Sequence, residues 1–252
     1  MSLLYKLIFR VLWPRQRLTR CVARHLNNRV VAGFAEGMIY PPKAVWGNPA
    51  NKLVGTYEKE LMPYWHALDA QPPRVVFDVG AAEGYYAVGS ALRWPSCTVY
   101  AWEMDGRARQ ALRSNAGLNV VQDRVHIAGV CGEEALYEAI TELAPDLIVM
   151  DVEGAERVLC SERCIRMADR ATWIVECHEE ATVQALQQRF APMHHLQVVV
   201  NQPRTAHDCS IRLPWYCRLL SYDRWRLVYE GRPFSTPWIV ATTRQAPKED
   251  VI

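Results

Sequence analysis

The sequence predicts an α/β fold, a parallel sheet with helices on both faces. From Arg74 onward, apolar runs of strand length alternate with segments of helical pattern. The stretch Val75–Tyr86, VVFDVGAAEGYY, reads as a buried strand, a turn of small residues and the start of a helix. Three of the later apolar runs end in an acid, as the first does in Asp78.

In chain order, strands are expected at 74–79, 98–103, 124–130, 146–151 and 172–177. Helices are expected near 85–93, 106–116, 133–143, 156–160 and 180–190. His194–Val200 and Trp238–Thr243 supply two more strands. The 252 residues suit one α/β domain with an attachment. Residues 1–52 form an N-terminal arm and loop, residues 53–252 the body, and 201–237 an insertion before the last strand, read as a substrate cap or interface. Before the first of these strands, Leu53–Leu61 leads into a helix to about Leu68, with Thr56 as its cap and Glu60 near its first turn.

Glycine at 80 permits a backbone conformation closed to other residues and leaves room for a ligand against the main chain. The amides at the following helix start can receive an anionic group. Thr98–Trp102 is apolar and ends in Glu103, placed to hold the hydroxyls of a ribose. NAD and S-adenosylmethionine (SAM) both carry that ribose. The dinucleotide fingerprint needs glycine at the first, third and sixth positions, here Gly80, Ala82 and Tyr85, so two of three fail. The pattern Asp78-x-Gly80-x-x-x-Gly84 suits SAM better, because SAM has no pyrophosphate to press on the backbone. Tyr57 and Glu58 are expected to close over this pocket, with the acid holding the ammonium of the methionine moiety.

Charge is unevenly spread. Residues 1–35 hold seven basic residues and no acid, whereas the remainder has 22 basic against 27 acidic. A mildly acidic body argues against nucleic acid as a partner. Met1–Trp13 is apolar except for Ser2, Lys6 and Arg10, too short to span a bilayer and without a signal-peptide cleavage site. The arm (residues 1–24) therefore packs on the body, lies in a membrane interface, or acts as a targeting arm. Eight cysteines show no C-x-x-C pair and no zinc spacing, which suggests reduced thiols in a cytoplasmic protein, with possible peripheral membrane attachment.

The fourth strand ends in Asp151-Val152-Glu153-Gly154-Ala155-Glu156, where three carboxylates exceed what capping a helix needs. The fifth ends in Glu176-Cys177-His178, which places His178 near Asp151 as a base or substrate contact. Asp151 with Glu153 could instead hold a divalent ion, but the reading preferred from sequence needs no metal.

DVGAAEGYY, VYAWEMD, DLIVMDVEGAE and WIVECHEE, in this order and spacing, resemble the class I SAM-dependent methyltransferases. DVEGAE with the following E-x-H resembles the FkbM-type O-methyltransferases in particular. The similarity covers roughly residues 53–200. It implies a seven-stranded doubly wound sheet in the order 3-2-1-4-5-7-6, with strand 7 antiparallel. It places Asp78, Gly80 and Glu103 at cofactor positions, to which the residue reading adds Ala81, Gly84, Tyr57 and Glu58. Asp151 and Glu153 match the acidic turn, and with His178 form the expected catalytic set. The Asn/Asp-Pro-Pro-aromatic motif of base N-methyltransferases is replaced by Asp151-Val152-Glu153-Gly154. The expected reaction is O-methylation of a small-molecule, glycan or lipid-linked hydroxyl. The rivals are a non-catalytic SAM-binding module and a nicotinamide-dependent oxidoreductase.

Overall fold

The computed structural model describes residues 15–41, 47–209, 211, 221–230 and 236–244. Seven strands form one sheet: β1 (Val75–Val79), β2 (Thr98–Trp102), β3 (Val125–Ala128), β4 (Leu147–Met150), β5 (Thr172–Glu176), β6 (His194–Val199) and β7 (Trp238–Thr243). Their order is β3-β2-β1-β4-β5-β7-β6. Strands β1 to β5 pair in parallel, and β7 runs antiparallel to both β5 and β6. This is the strand order and polarity of the class I methyltransferase sheet. The helices are α1 (Arg15–His25), α2 (Pro49–Leu53), α3 (Met62–Asp69), α4 (Tyr85–Arg93), α5 (Gly106–Leu118), α6 (Glu133–Leu143), α7 (Glu156–Leu159), α8 (Glu162–Met167), α9 (Glu180–Phe190) and α10 (Ser221–Val228).

The two-residue period of the strands sorts the core into two layers. Val76, Val99, Leu147, Val149, Ile174 and Val240 face one side, against Tyr85, Val88 and Leu112 of α4 and α5. Phe34, Met38, Tyr40, Leu53 and Trp65, all from before β1, pack into the same layer. Phe77, Val79, Ile148, Met150, Trp173 and Val175 face the other side, against Leu136, Ile165, Leu186 and Phe190. Cys160, Cys164 and Cys177 are buried in that second layer as free thiols, and burial pushes each of them up in pKa.

The arm and the insertion meet away from the sheet. Leu18 and Val22 of α1, Ala50 and Val54 around α2, and Leu227 and Val228 of α10 form a third small core with Cys209. Residues 15–25 of the arm therefore pack on the body, with Arg17, Arg20 and Arg24 outward. Residues 1–14, which carry the apolar stretch, lie outside the described residues, as do 212–220 of the insertion. Among the described residues no helix is long and apolar enough to cross a membrane.

Two local expectations are corrected. The single helix near 156–160 is a four-residue turn of helix, α7, followed by a separate helix, α8, which Ser161 caps through a bond from the Cys164 amide. Thr56 does not cap the helix that follows it. Its hydroxyl donates to the Asn51 carbonyl, closing α2 behind it. The next helix opens through a 3-10 turn at Lys59–Leu61, with Pro63 in the first turn of α3. Glu60 is drawn into the interior instead, paired to Arg204 at 2.6 Å.

One backbone contact sets the site. Gly80 has φ of 88°, and a Cβ there would lie 1.7 Å from the Asp151 carbonyl oxygen. The space that glycine leaves is filled by the end of β4, not by a ligand. Gly84, φ 91°, opens α4 in the left-handed region, where a Cβ would meet Leu112 at 2.2 Å. Gly80→Ala should thus combine strain with a backbone clash. We expect a loss of about 3 kcal/mol, read as a lowered denaturation midpoint with an unchanged m-value; a near-neutral result would refute this account of the turn.

Candidate functional site

The cleft lies beyond the carboxyl ends of β1 and β4, where an open α/β sheet receives its ligands. Lys52, Tyr57, Asp78, Gly80, Ala81, Ala82, Tyr85, Tyr86, Val149 and Asp151 line it. Of the residues expected from sequence, Asp78, Gly80, Ala81, Tyr57 and Asp151 are brought together here. Gly84 shapes the turn from below. Glu58 does not line the cleft. It is buried with φ of 47° and accepts a hydrogen bond from the Tyr86 hydroxyl.

The turn is held on three sides. The Gly80 and Ala81 amides both donate to the Trp102 carbonyl at 2.9 Å. Ala82, at φ 48°, donates its amide to Glu103 Oε2 at 2.8 Å. Asn115 Nδ2 donates to the Glu83 carbonyl at 2.8 Å, and the Glu83 side chain pairs with Lys52 at 2.7 Å. Glu103 takes a second amide, that of Asp105, on its other oxygen at 2.7 Å. Each Glu103 oxygen thus retains accepting capacity. Met104 beside it is 76% exposed, an apolar surface left open at the rim.

Asp78 is buried at the end of β1, and its Oδ2 has no hydrogen-bond partner among the described residues. Burial pushes its carboxyl up to about 7, against the opposing pull of the Ala87 amide at the start of α4. A buried carboxyl oxygen with no partner, beside an acid with spare acceptors, fits a ligand rich in hydroxyl and ammonium donors.

Beyond β4 and β5 the acids gather around one imidazole. His178 Nδ1 lies 2.7 Å from Glu156 Oε1, while Nε2 lies 3.2 Å from Glu153 and 3.6 Å from Asp151. Glu156 is fully buried and also accepts the Gly154 amide at 3.0 Å. The bond to Glu156, together with the charges of Glu176 and Asp151, pushes His178 up to about 9 against the effect of burial. Burial pushes Asp151 up to about 6, reinforced by Glu58 and opposed by a hydrogen bond with Glu176 and by His178. Asp151, Glu153 and His178 present ligand atoms within 4.8 Å of one another, a donor set that fits a divalent ion, with Glu156 orienting the histidine.

Several contributors escaped the sequence reading. Glu156 was counted among the three carboxylates of the acidic turn but was given no role of its own. Tyr85 lay inside the glycine-turn motif but was not assigned to the cleft, and Lys52 lines it from a five-residue helix with no motif and nothing local to mark it as buried.

No protein-family model matches the sequence, and no curated protein matches it. Among solved structures, an O-methyltransferase from Bacillus cereus in complex with SAH is 13% identical, with 96% of this chain and 98% of that one covered and a TM-score of 0.49. A SAM-dependent O-methyltransferase from Thermotoga maritima is 16% identical, covering 73% and 64%, at 0.48. A precorrin-6y C5,15-methyltransferase from Geobacter metallireducens is 14% identical, covering 69% and 80%, at 0.45. Similarity this distant transfers no activity, and the fold assignment rests on the strand order itself.

The His178 environment has a thermodynamic signature. A pKa raised from 6.5 to about 9 means that the fold binds the imidazolium more tightly than the imidazole. That stabilisation is complete below pH 6.5 and is lost as pH rises through 9. The melting temperature of the wild type should therefore fall between pH 6.5 and 9.5 more steeply than that of His178→Gln. Parallel curves would show that the Glu156 pair does not hold the proton.

Proposed function

We propose that the protein transfers a methyl group from SAM to a hydroxyl oxygen of a small-molecule, glycan or lipid-linked acceptor, as an enzyme of FkbM type. The observation that carries this reading is the His178–Glu156 pair at the strand tips, with Nε2 turned toward Asp151 beside the glycine-turn cleft. When bound, SAM supplies a methyl group made electrophilic by its sulfonium. A hydroxyl is a poor nucleophile at neutral pH and needs its proton removed as it attacks. Glu156, accepting from Nδ1–H, fixes the tautomer so that Nε2 is the basic atom. Nε2 takes the hydroxyl proton, and Glu156 stabilises the imidazolium that results. The excess of carboxylates around His178 also favours a cationic group in the cleft. Asp78 and Glu103 meet the donors of the cofactor, and much of the rate comes from alignment on rigid strand tips.

A second reading has its own observation, the convergence of Asp151, Glu153 and His178. Those three would ligate a divalent ion that binds the acceptor oxygen and lowers its pKa.

Calorimetry should show binding of SAM or its demethylated product SAH and no comparable binding of NAD; the reverse would return the oxidoreductase. With an acceptor found by screening with labelled SAM, His178→Ala and Asp151→Asn should lower turnover roughly 10²- to 10⁴-fold, the usual worth of a general base, with SAM affinity little changed. Activity should climb with pH through about 9, as His178 loses its proton. A chelator that abolishes turnover while His178→Ala is mild would favour the metal. SAM binding with no turnover on any acceptor would favour a binding module.

We also propose that residues 1–24 hold the protein on an anionic membrane surface. In support, α1 packs by one face and presents Arg17, Arg20 and Arg24 on the other, directly after the apolar Met1–Trp13. The full chain should float with phosphatidylglycerol vesicles at low salt, detach at high salt, and lose flotation when the three arginines become Gln. Equal flotation on neutral vesicles would contradict this.

A further inference from the structure

Arg204 lies in the insertion after β6 and has no part in the transfer chemistry. It is 7% exposed, a depth that arginine rarely reaches unless it is paired. Its donors are placed one by one. Nε donates to the Thr56 carbonyl at 3.0 Å and Nη1 to the Gln202 carbonyl at 2.7 Å. Nη2 donates to Glu60 Oε2 at 2.6 Å and lies 2.5 Å from Glu230 Oε1. A guanidinium is planar and always charged, so four partners fix its orientation as well as its position.

Two of those partners flank one residue of the cleft wall. Thr56 precedes Tyr57. The Glu58 amide, which follows it, donates to Glu230 Oε1 at 3.1 Å, the oxygen that pairs with Arg204. Tyr57 lines the cleft, with its ring 5.2 Å from that of Tyr85 and 6.4 Å from that of Tyr86. The backbone that carries this ring is therefore clamped before and after it through a single guanidinium. A second tie runs the other way, from Lys59 to Asp208, and Asp208 Oδ2 also accepts the Thr205 amide at 2.6 Å and hydroxyl at 3.0 Å. That pair is partly exposed and contributes little. Arg204 carries the clamp, because its loss would strip the shared cation from two buried carboxylates.

We propose that Arg204 is a positioning residue for the cofactor: it fixes Tyr57 over the cleft from the insertion, so that filling the cleft and holding the insertion on the body are linked. This rests on the SAM reading. Arg204 acts through Tyr57 and not on the ligand.

The test is a double-mutant cycle on the full chain, read by calorimetry with SAH. Arg204→Met and Tyr57→Leu should each weaken binding roughly 10- to 100-fold. The two together should cost no more than about threefold beyond the worse of them, since Arg204 then has no wall to place. Additive losses would overturn the proposal. Arg204→Lys keeps the charge and loses the fork, so it should recover melting temperature more fully than SAH affinity. Recovery of both in step would make Arg204 a structural partner of the two acids and overturn it as well. Should Arg204→Met fail to fold, Arg204→Lys replaces it in the cycle, and hydrogen exchange on the wild type decides. SAH should slow the amides of 58–61 and of 202–208 together, by about tenfold; protection confined to the turn at Gly80 overturns the proposal. Without ligand, the Glu58 amide should exchange about tenfold faster in Arg204→Lys, whether or not SAH binds. An unchanged rate refutes the clamp itself, whereas a wild type that binds no SAH refutes the SAM reading and the cofactor role with it.

Discussion

The site depends on the contact between the turn after β1 and the end of β4. Gly80 is pressed on the Asp151 carbonyl so closely that no side chain fits between them. The same turn is bound by two amides to the end of β2 through Trp102. Three strand tips are therefore locked through backbone atoms, and β5 follows by its ladder to β4. The glycine turn and the acid–histidine group cannot drift apart without breaking this contact. Preorganisation here comes from main chain already fixed by the sheet, so the strand tips have little freedom left to lose.

Charge is what this arrangement costs. Asp78, Glu83, Glu103, Glu156 and Glu176 are all buried near the strand tips. Each is held by a specific donor: Ala87 for Asp78, Lys52 for Glu83, Ala82 and Asp105 for Glu103, His178 for Glu156, Thr236 for Glu176. Burial opposes ionisation, and donors favour it. Where donors win, as at Glu83 and Glu156, the carboxyl pKa is lowered. Where burial wins, as at Asp78 and Asp151, the acid is poised within the neutral range. The sheet thus separates acids that brace the site from acids available to a ligand.

What the sequence made legible follows from what is local. β1, β4 and β5 were readable because a strand buried on both faces is a nearly continuous apolar run, with an acid at or next to its end, and β2 because its half-buried face is carried by Thr98, Tyr100 and Trp102. Asp151 and His178 could be brought together on paper, because adjacent parallel strands present their tips side by side. The strand order came from the resemblance. Lys52, Glu60 and Arg204 were not legible, because the burial of a charged residue is decided by a partner 31 or 144 positions away. Thr56 and Glu60 misled for a local reason. A Thr with an acid four residues on reads as a helix start, yet the chain there is closing one helix and entering a 3-10 turn before the next.

The segments outside the sheet have a part that its topology does not supply. Arg204 donates to Glu60 at 2.6 Å, pairs with Glu230 at 2.5 Å, and bonds the Thr56 carbonyl at 3.0 Å. Glu230 also accepts the Glu58 amide at 3.1 Å. These bonds bracket Tyr57, the aromatic wall of the cleft, and hold Glu58 in a left-handed conformation that a glutamate adopts only under constraint. Asn48, which caps α2 and so positions Lys52, donates to the Leu227 and Tyr229 carbonyls at the end of α10. Both non-sheet walls of the cleft are therefore tied to the insertion between β6 and β7. The strand tips fix where chemistry can occur, and the insertion fixes the enclosure around it, so a change in the insertion reaches the cleft through hydrogen bonds rather than through the sheet.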